Sequence, residues 1–251
     1  EMNSALGYDI NSHFAVEAGA PFWLVTTTQS TTTSGGSGTT TINTTHSNSL
    51  GDAFLRLKAQ THMNQLGYST GLTLTAPTGD SSAGVSTGRA TFNWNNRLER
   101  ELGHFTLIGE GSFGNSLTSS NRNRRDFTTL GAVSEFRGGV GFDLLKTLTL
   151  EASGYGDVGY GNQKIYSRNV KKGSNGSGKT SHGRSYEAAY LTTGDSSLVN
   201  DSGFTTDLSW SMTPRFSTDF AYNRSTHYSS NSVAVTLGMR LGHLAEKPER
   251  N

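Results

Sequence analysis

"AFLRLKAQTHM", residues 53–63, sets Ala53, Leu55, Leu57, Ala59 and Met63 on one side and Arg56, Lys58, Gln60 and His62 on the other, with Phe54 and Thr61 outside the pattern. A period of two residues marks an extended strand, whose successive side chains point to opposite faces. The pattern returns along the chain. "ATFNWNNRLERE" (90–101) opposes Phe92, Trp94 and Leu98 to Asn93, Asn95, Arg97 and Glu99, and "HFTLIGEGSF" (104–113) opposes Phe105, Leu107 and Phe113 to Thr106, Glu110 and Ser112. "FRGGVGFDL" (136–144) sets Phe136, Val140, Phe142 and Leu144 against Arg137 and Asp143, and "LTLEASGYGDVGY" (148–160) sets Leu148, Leu150, Ala152 and Val158 against Thr149, Glu151, Ser153 and Asp157. Three further segments, "FTTDLSWSM", "RFSTDFAYN" and "VAVTLGMRL", carry Asp207, Asp219 and Arg240 on their polar faces.

The connections alternate as well. Short ones fall at residues 11–12, 64–67, 101–103, 144–147 and 213–214, and between them lie long polar stretches: 28–50, 79–89, 115–126 and the region from Gly161 to Ser202. A soluble β-sandwich also alternates, but it buries its apolar face and has no need of turns that are short at one end and long at the other. Both features belong to an outer-membrane barrel, in which the apolar face meets lipid and the polar face lines the interior. Segments of 9–11 residues also suit tilted membrane strands. The expectation is an all-β, antiparallel, up-and-down transmembrane β-barrel with short periplasmic turns and long extracellular loops. Eleven strands are visible, from "SALGYDI" to "SVAVTLGMRLGHL". Bacterial barrels have even numbers, so about twelve are expected, the missing one running outward. Residues 1–244 are read as one barrel domain and 245–251 as a short polar tail; Lys164 to Thr193 is expected to form an extra hairpin outside the membrane.

Composition removes other classes. Hydrophobic residues are 32% and charged ones 16% of the chain, with mean hydropathy −0.49, yet aromatics reach 10% and the net charge is +1. Disordered chains are poor in aromatics and high in net charge, so this one folds. With no cysteine there is neither a disulfide nor a thiolate metal site, and the balanced charge offers no basic stripe for nucleic acid. Glu1 in first place, with no basic apolar leader after it, is expected of a processed or trimmed chain.

"YDINSHFAVEAGAPF" (8–22) and "GYSTGLTLTAPTGD" (67–80) resemble a family of proteobacterial outer-membrane proteins regarded as transporters and associated with aromatic (phenol meta-cleavage) degradation. Asn11 and Ser12 fill that family's turn, Pro21 and Phe22 its Pro-Phe pair, and Pro77, Thr78, Gly79 and Asp80 its PTGD. The resemblance implies passage of small, often hydrophobic molecules across the outer membrane. Two departures stand out: the basic segment from Lys164 to Arg184, and a last strand that ends near Leu244 without the usual terminal aromatic.

"GSNGSGKT" (173–180) matches a phosphate-binding loop through Gly173, Gly178, Lys179 and Thr180. Such a loop works only between a buried strand and a helix N-terminus. Here two lysines precede it and no amphipathic helix follows, so it is read as a chance match in a Gly/Ser loop. No G-x-S-x-G or H-E-x-x-H occurs, and His46, His62 and His182 lack metal-ligand spacing. No catalytic residue, metal or cofactor is assigned; a Ser/His/Asp site assembled from distant residues is the enzymatic rival. The basic runs at 122–126 and 170–172 are read as solvated loop charge, with lipopolysaccharide phosphates as the rival partner. Tyr8, Phe22, Trp94, Phe105, Tyr160 and Trp210 are expected on the outer face, in interfacial girdles.

The candidate site is the interior. The alternation points Asp9, Glu17, Arg56, Lys58, Arg97, Glu99, Glu110, Arg137, Asp143, Glu151, Asp207, Asp219 and Arg240 inward. Charges in a narrow interior are costly unless paired, so cross-strand ion pairs are expected of most, and any left over would set ion selectivity. The function expected is that of a bacterial outer-membrane channel for passive passage of small solutes, hydrophobic or aromatic ones included, with lipid and lipopolysaccharide as surroundings. The alternative is a non-conducting barrel that anchors a larger surface assembly through its long loops.

Overall fold

Strands form wherever the two-residue period occurs. The computed structural model describes residues 2–32, 40–79, 86–116, 127–167, 170–171, 186–187 and 190–240. Its strands are β1 (Met2–Asp9), β2 (Phe14–Thr32), β3 (Thr40–Leu50), β4 (Ala53–Met63), β5 (Leu66–Ala76), β6 (Thr91–Leu102), β7 (Phe105–Gly114), β8 (Phe127–Leu145), β9 (Leu148–Ser167), β10 (Val170–Lys171), β11 (Tyr186–Glu187), β12 (Tyr190–Gly194), β13 (Asp201–Trp210), β14 (Phe216–Ser225) and β15 (Ser230–Met239). All but β10 and β11 join one sheet, whose path runs β1-β2-β4-β5-β6-β7-β8-β9-β13-β14-β15. Every neighbouring pair is antiparallel. This is an up-and-down transmembrane β-barrel, and its wall shows the eleven positions read from the sequence.

The two strands off the path are outward continuations of the wall. β4 pairs with Phe14–Gly19 of β2, and β3 pairs with the rest of β2, from Phe22 to Thr32. Likewise β13 pairs with the first part of β9 and β12 with its last five residues. Of residues 28–50, expected as a loop, the described ones, 28–32 and 40–50, are therefore strand. Their threonines explain it: β-branched side chains favour extended backbone, and a hairpin ladder satisfies their N–H and C=O groups. β2, β8 and β9 hold 19, 19 and 20 residues, so about half of each stands beyond the 9–11 residues that cross a membrane. β10 pairs with β11, so the expected outer hairpin is present in its described parts.

Burial is inverted relative to a soluble protein. Leu55, Leu57, Leu98, Leu107, Phe136, Phe220 and many other large apolar side chains are exposed, whereas Thr73, Asn93, Glu135, Ser153, Asp157, Asp201, Thr205, Asn223 and Ser225 are buried. The polar face is thus the concave one and the apolar face looks outward, as lipid requires. Tyr8, Trp94, Phe105, Tyr160 and Trp210 lie exposed on that outer face, and Phe22 is half-buried.

One end of the barrel is closed by tight turns. Asn64, in the two-residue β4–β5 turn, adopts φ 55°, and Gly103, in the β6–β7 turn, φ 69°, a region open to asparagine and glycine. Asn11 shapes the β1–β2 turn: its Oδ1 accepts from the N–H groups of His13 at 2.8 Å and Phe14 at 2.9 Å. At the other end Asp52, buried between β3 and β4, gathers the β5–β6 connection by accepting from the N–H of Thr87 at 2.8 Å, the Thr87 hydroxyl at 3.1 Å and the Gly79 N–H at 3.1 Å. Thr78 Oγ1 accepts from the Ala53 N–H at 2.8 Å beside it. A Cβ on Gly79 would stand 2.8 Å from the Leu50 carbonyl oxygen and the Gly51 carbonyl carbon, so the close approach requires glycine. Before β13 a short 3-10 helix, Ser196–Val199, is capped by Asp195, whose Oδ1 accepts from the Ser197 N–H at 3.0 Å and the Ser197 hydroxyl at 2.5 Å. Those two hydrogen bonds hold the Asp195 carboxyl below the usual carboxylate range.

Candidate functional site

Register places the charges on one face, row by row. Gln60, Ser69, Arg97, Glu110, Arg137 and Tyr155 stand side by side across β4 to β9, one outward row holds Lys58, Gly71, Asn95, Ser112, Glu135 and Asp157, and the next holds Glu17, Arg56, Thr73 and Asn93. Asp9 and Glu17 belong to the same face through β1 and β2, and Glu99, Asp143, Glu151, Asp207 and Asp219 continue it toward the tight turns. All of the expected interior residues within strands are therefore on the polar face. Arg240 lies one residue past β15, its N–H bonded to the Arg215 carbonyl at 2.9 Å.

Most of these charges are paired. Glu17 holds two cations, Lys58 at 2.6 Å and Arg56 at 3.3 Å, and Arg56 donates from Nε to Thr73 Oγ1 at 3.1 Å while lying over the Phe54 ring. Phe54, outside the sequence pattern, is thus an inward side chain that seats an arginine. Arg97 is the hub of a second group: it contacts Glu99 through Nε, Glu151 at 2.8 Å and Glu110 at 3.9 Å. Arg137 spans Glu110 at 3.8 Å and Glu135 at 3.3 Å. Because these guanidinium groups are partly solvated, each pair contributes modestly and the shared geometry matters more.

The opposite part of the wall is held by hydrogen bonds from uncharged side chains rather than by ion pairs among the described residues. Asp201 accepts from the Ser225 hydroxyl at 2.6 Å and the Tyr155 hydroxyl at 3.2 Å, and Asn223 donates to Thr205 Oγ1 at 2.9 Å. Asp207 stands directly across from Glu151, two carboxylates in one register pair. The sequence reading does not include Glu135 or Asp201 among the interior residues, and it places Asn93 on the polar face without singling it out. Glu135 alternates with Arg137 and carries the signal, but the segment read from the sequence starts at Phe136, nine residues after the start of β8.

The ion pairs leave space. Between β4 and β8 a chamber of about 390 Å³ is lined by Arg56, Lys58, Asn93, Asn95, Arg97 and Arg137 among others. Among the described residues no group of three or more His, Cys, Asp or Glu is placed to hold a metal ion. Gly173, Gly178, Lys179 and Thr180, the basic residues 122–126 and His182 lie outside the described residues, as does the tail 245–251.

No protein-family model matches the chain, and no curated protein matches its sequence. In fold it is similar to the crystal structure of an outer membrane channel from Pseudomonas putida F1, with a TM-score of 0.51 over 93% of this chain and 78% of that one, at 10% sequence identity. The likeness is one of fold, and it is to an outer-membrane barrel.

Proposed function

We propose that this barrel is a channel of the bacterial outer membrane that passes small solutes passively. The observation that carries the reading is the interior itself, a concave face of paired charges that still encloses a chamber of about 390 Å³. A wall meant only as an anchor gains nothing from a wet, charge-lined cavity, whereas a passage needs one. The fold it shares with an outer membrane channel supports the reading, and the two family-like stretches support hydrophobic or aromatic molecules among the solutes. Conductance of the folded protein in planar bilayers tests it, after heat-modifiable migration has shown a folded barrel. Steps of stable size are expected; silence from a folded barrel would overturn it.

A second reading rests on the paired strands that extend β2 and β9 outward. These give the barrel a surface beyond the membrane on which an assembly could be built. Stoichiometric co-purifying partners that protect residues 162–201 from protease would favour it, and free cleavage would remove it.

A further inference from the structure

Asn93 is 3% exposed, and neither its Oδ1 nor its Nδ2 has a hydrogen-bond partner among the described residues. A buried amide left in that state costs stability, and such a group calls for a partner from outside the chain or a role of its own. The amide lines the chamber, in the same register row as Arg56 and one row from Lys58. Those two cations have one carboxylate between them: among the described residues Glu17 is the ion-pair partner of both. Arg97 and Arg137, across the chamber, are each engaged by two or more carboxylates. The surplus positive charge therefore sits on the Arg56 and Lys58 side, near an amide with an NH2 donor and a carbonyl-oxygen acceptor. Thr73 Oγ1 accepts from Arg56 Nε, and no hydrogen bond joins it to the Asn93 amide, which lines the chamber with the two cations.

We propose that this corner is a binding site for a small hydroxycarboxylate, as one solute of the passage proposed above, on which this assignment rests. The ligand's carboxylate would lie against Lys58 and Arg56, making charge-assisted hydrogen bonds. A hydroxyl on the neighbouring carbon both donates and accepts, and so satisfies both atoms of the Asn93 amide. A simple carboxylate would leave the Asn93 oxygen unpartnered, and a neutral polyol would leave the surplus cation uncompensated.

The test uses the folded, detergent-solubilised chain with gluconate as the probe, butyrate and sorbitol as controls, equilibrium dialysis as the readout, and conductance recorded on the same preparation. Gluconate is expected to bind about tenfold more tightly than either control, and to lose about tenfold in Lys58→Gln, which leaves Arg56 and Glu17 evenly matched. Asn93→Leu guards against misfolding: exchanging an unpartnered amide for an apolar group of similar size keeps the barrel folded and still weakens gluconate. Absence of gluconate binding, equal binding of a control, or indifference to both substitutions overturns the site. Conductance steps without binding would remove the site and leave the channel; binding without steps would keep the site and remove the channel.

Discussion

Arg97, on β6, touches Glu151, on β9, at 2.8 Å although two strands stand between them in the wall. Along a flat sheet three strand spacings amount to roughly 14 Å, so the contact reports a strongly curved wall. One guanidinium thereby ties together strands that share no ladder.

Replacing Arg97 with glutamine leaves Glu99, Glu110 and Glu151 facing one another with less compensation. The barrel is expected to lose about 1–3 kcal/mol, less than a fully buried pair would cost because the site is partly solvated. Reversal potentials across a salt gradient should move toward cation preference. Urea unfolding followed by gel mobility, and bilayer recording, measure the two effects separately.

Gly79 and Gly109 make a matched pair of substitutions. Alanine at Gly79 would press on the backbone at Leu50 and Gly51, and is expected to cost about 1–3 kcal/mol and to expose the β5–β6 connection to protease. Alanine at Gly109 meets nothing within 4 Å and should change stability by less than about 0.5 kcal/mol.

Leu98 lies on the outer face near the middle of β6 and is exposed. Leu98→Arg should cost about 2–4 kcal/mol in a bilayer, the depth-dependent penalty for a charge in hydrocarbon. Folding yield into vesicles, compared with the unsubstituted chain, gives the value.

Asp195 sits outside the membrane-spanning segments, and its carboxyl is held low by Ser197. A lowered value means that the cap contributes above the unfolded carboxyl's range, near about 3.9, and is lost as pH falls through the lower folded value. The amide resonance of Ser197 should shift with that titration, and Asp195→Ala should abolish the shift.

The barrel is legible because lipid forces an alternation, and strands such as β4 and β6 show it with only a few exceptions, Phe54 and Thr61 in β4 and Asn96 and Arg100 in β6. The threonine-rich stretch 28–50 is polar and so resembles a loop, although threonine favours strands and its described residues, 28–32 and 40–50, form them. The charged residues can be read from the sequence as sharing one face, but not as partners. That Glu17 serves both Arg56 and Lys58, or that Arg97 reaches β9, depends on register and curvature, which no local pattern encodes. Asn93 was read as one more polar residue on its face; its isolation appears only when its neighbours across the sheet are known.

Nearly every rung of the wall joins segments adjacent in sequence, so each closes a short loop and costs little entropy. Two rungs differ. β4 must find β2 across everything from Gly19 to Phe54, and β13 must find β9 across everything from Asp157 to Asp201. Assembly can therefore proceed quickly hairpin by hairpin except at these two splices, where the extramembrane extensions must zip before the wall can continue. Closing the wall at these two places, and not forming its short hairpins, is therefore the step expected to be slowest.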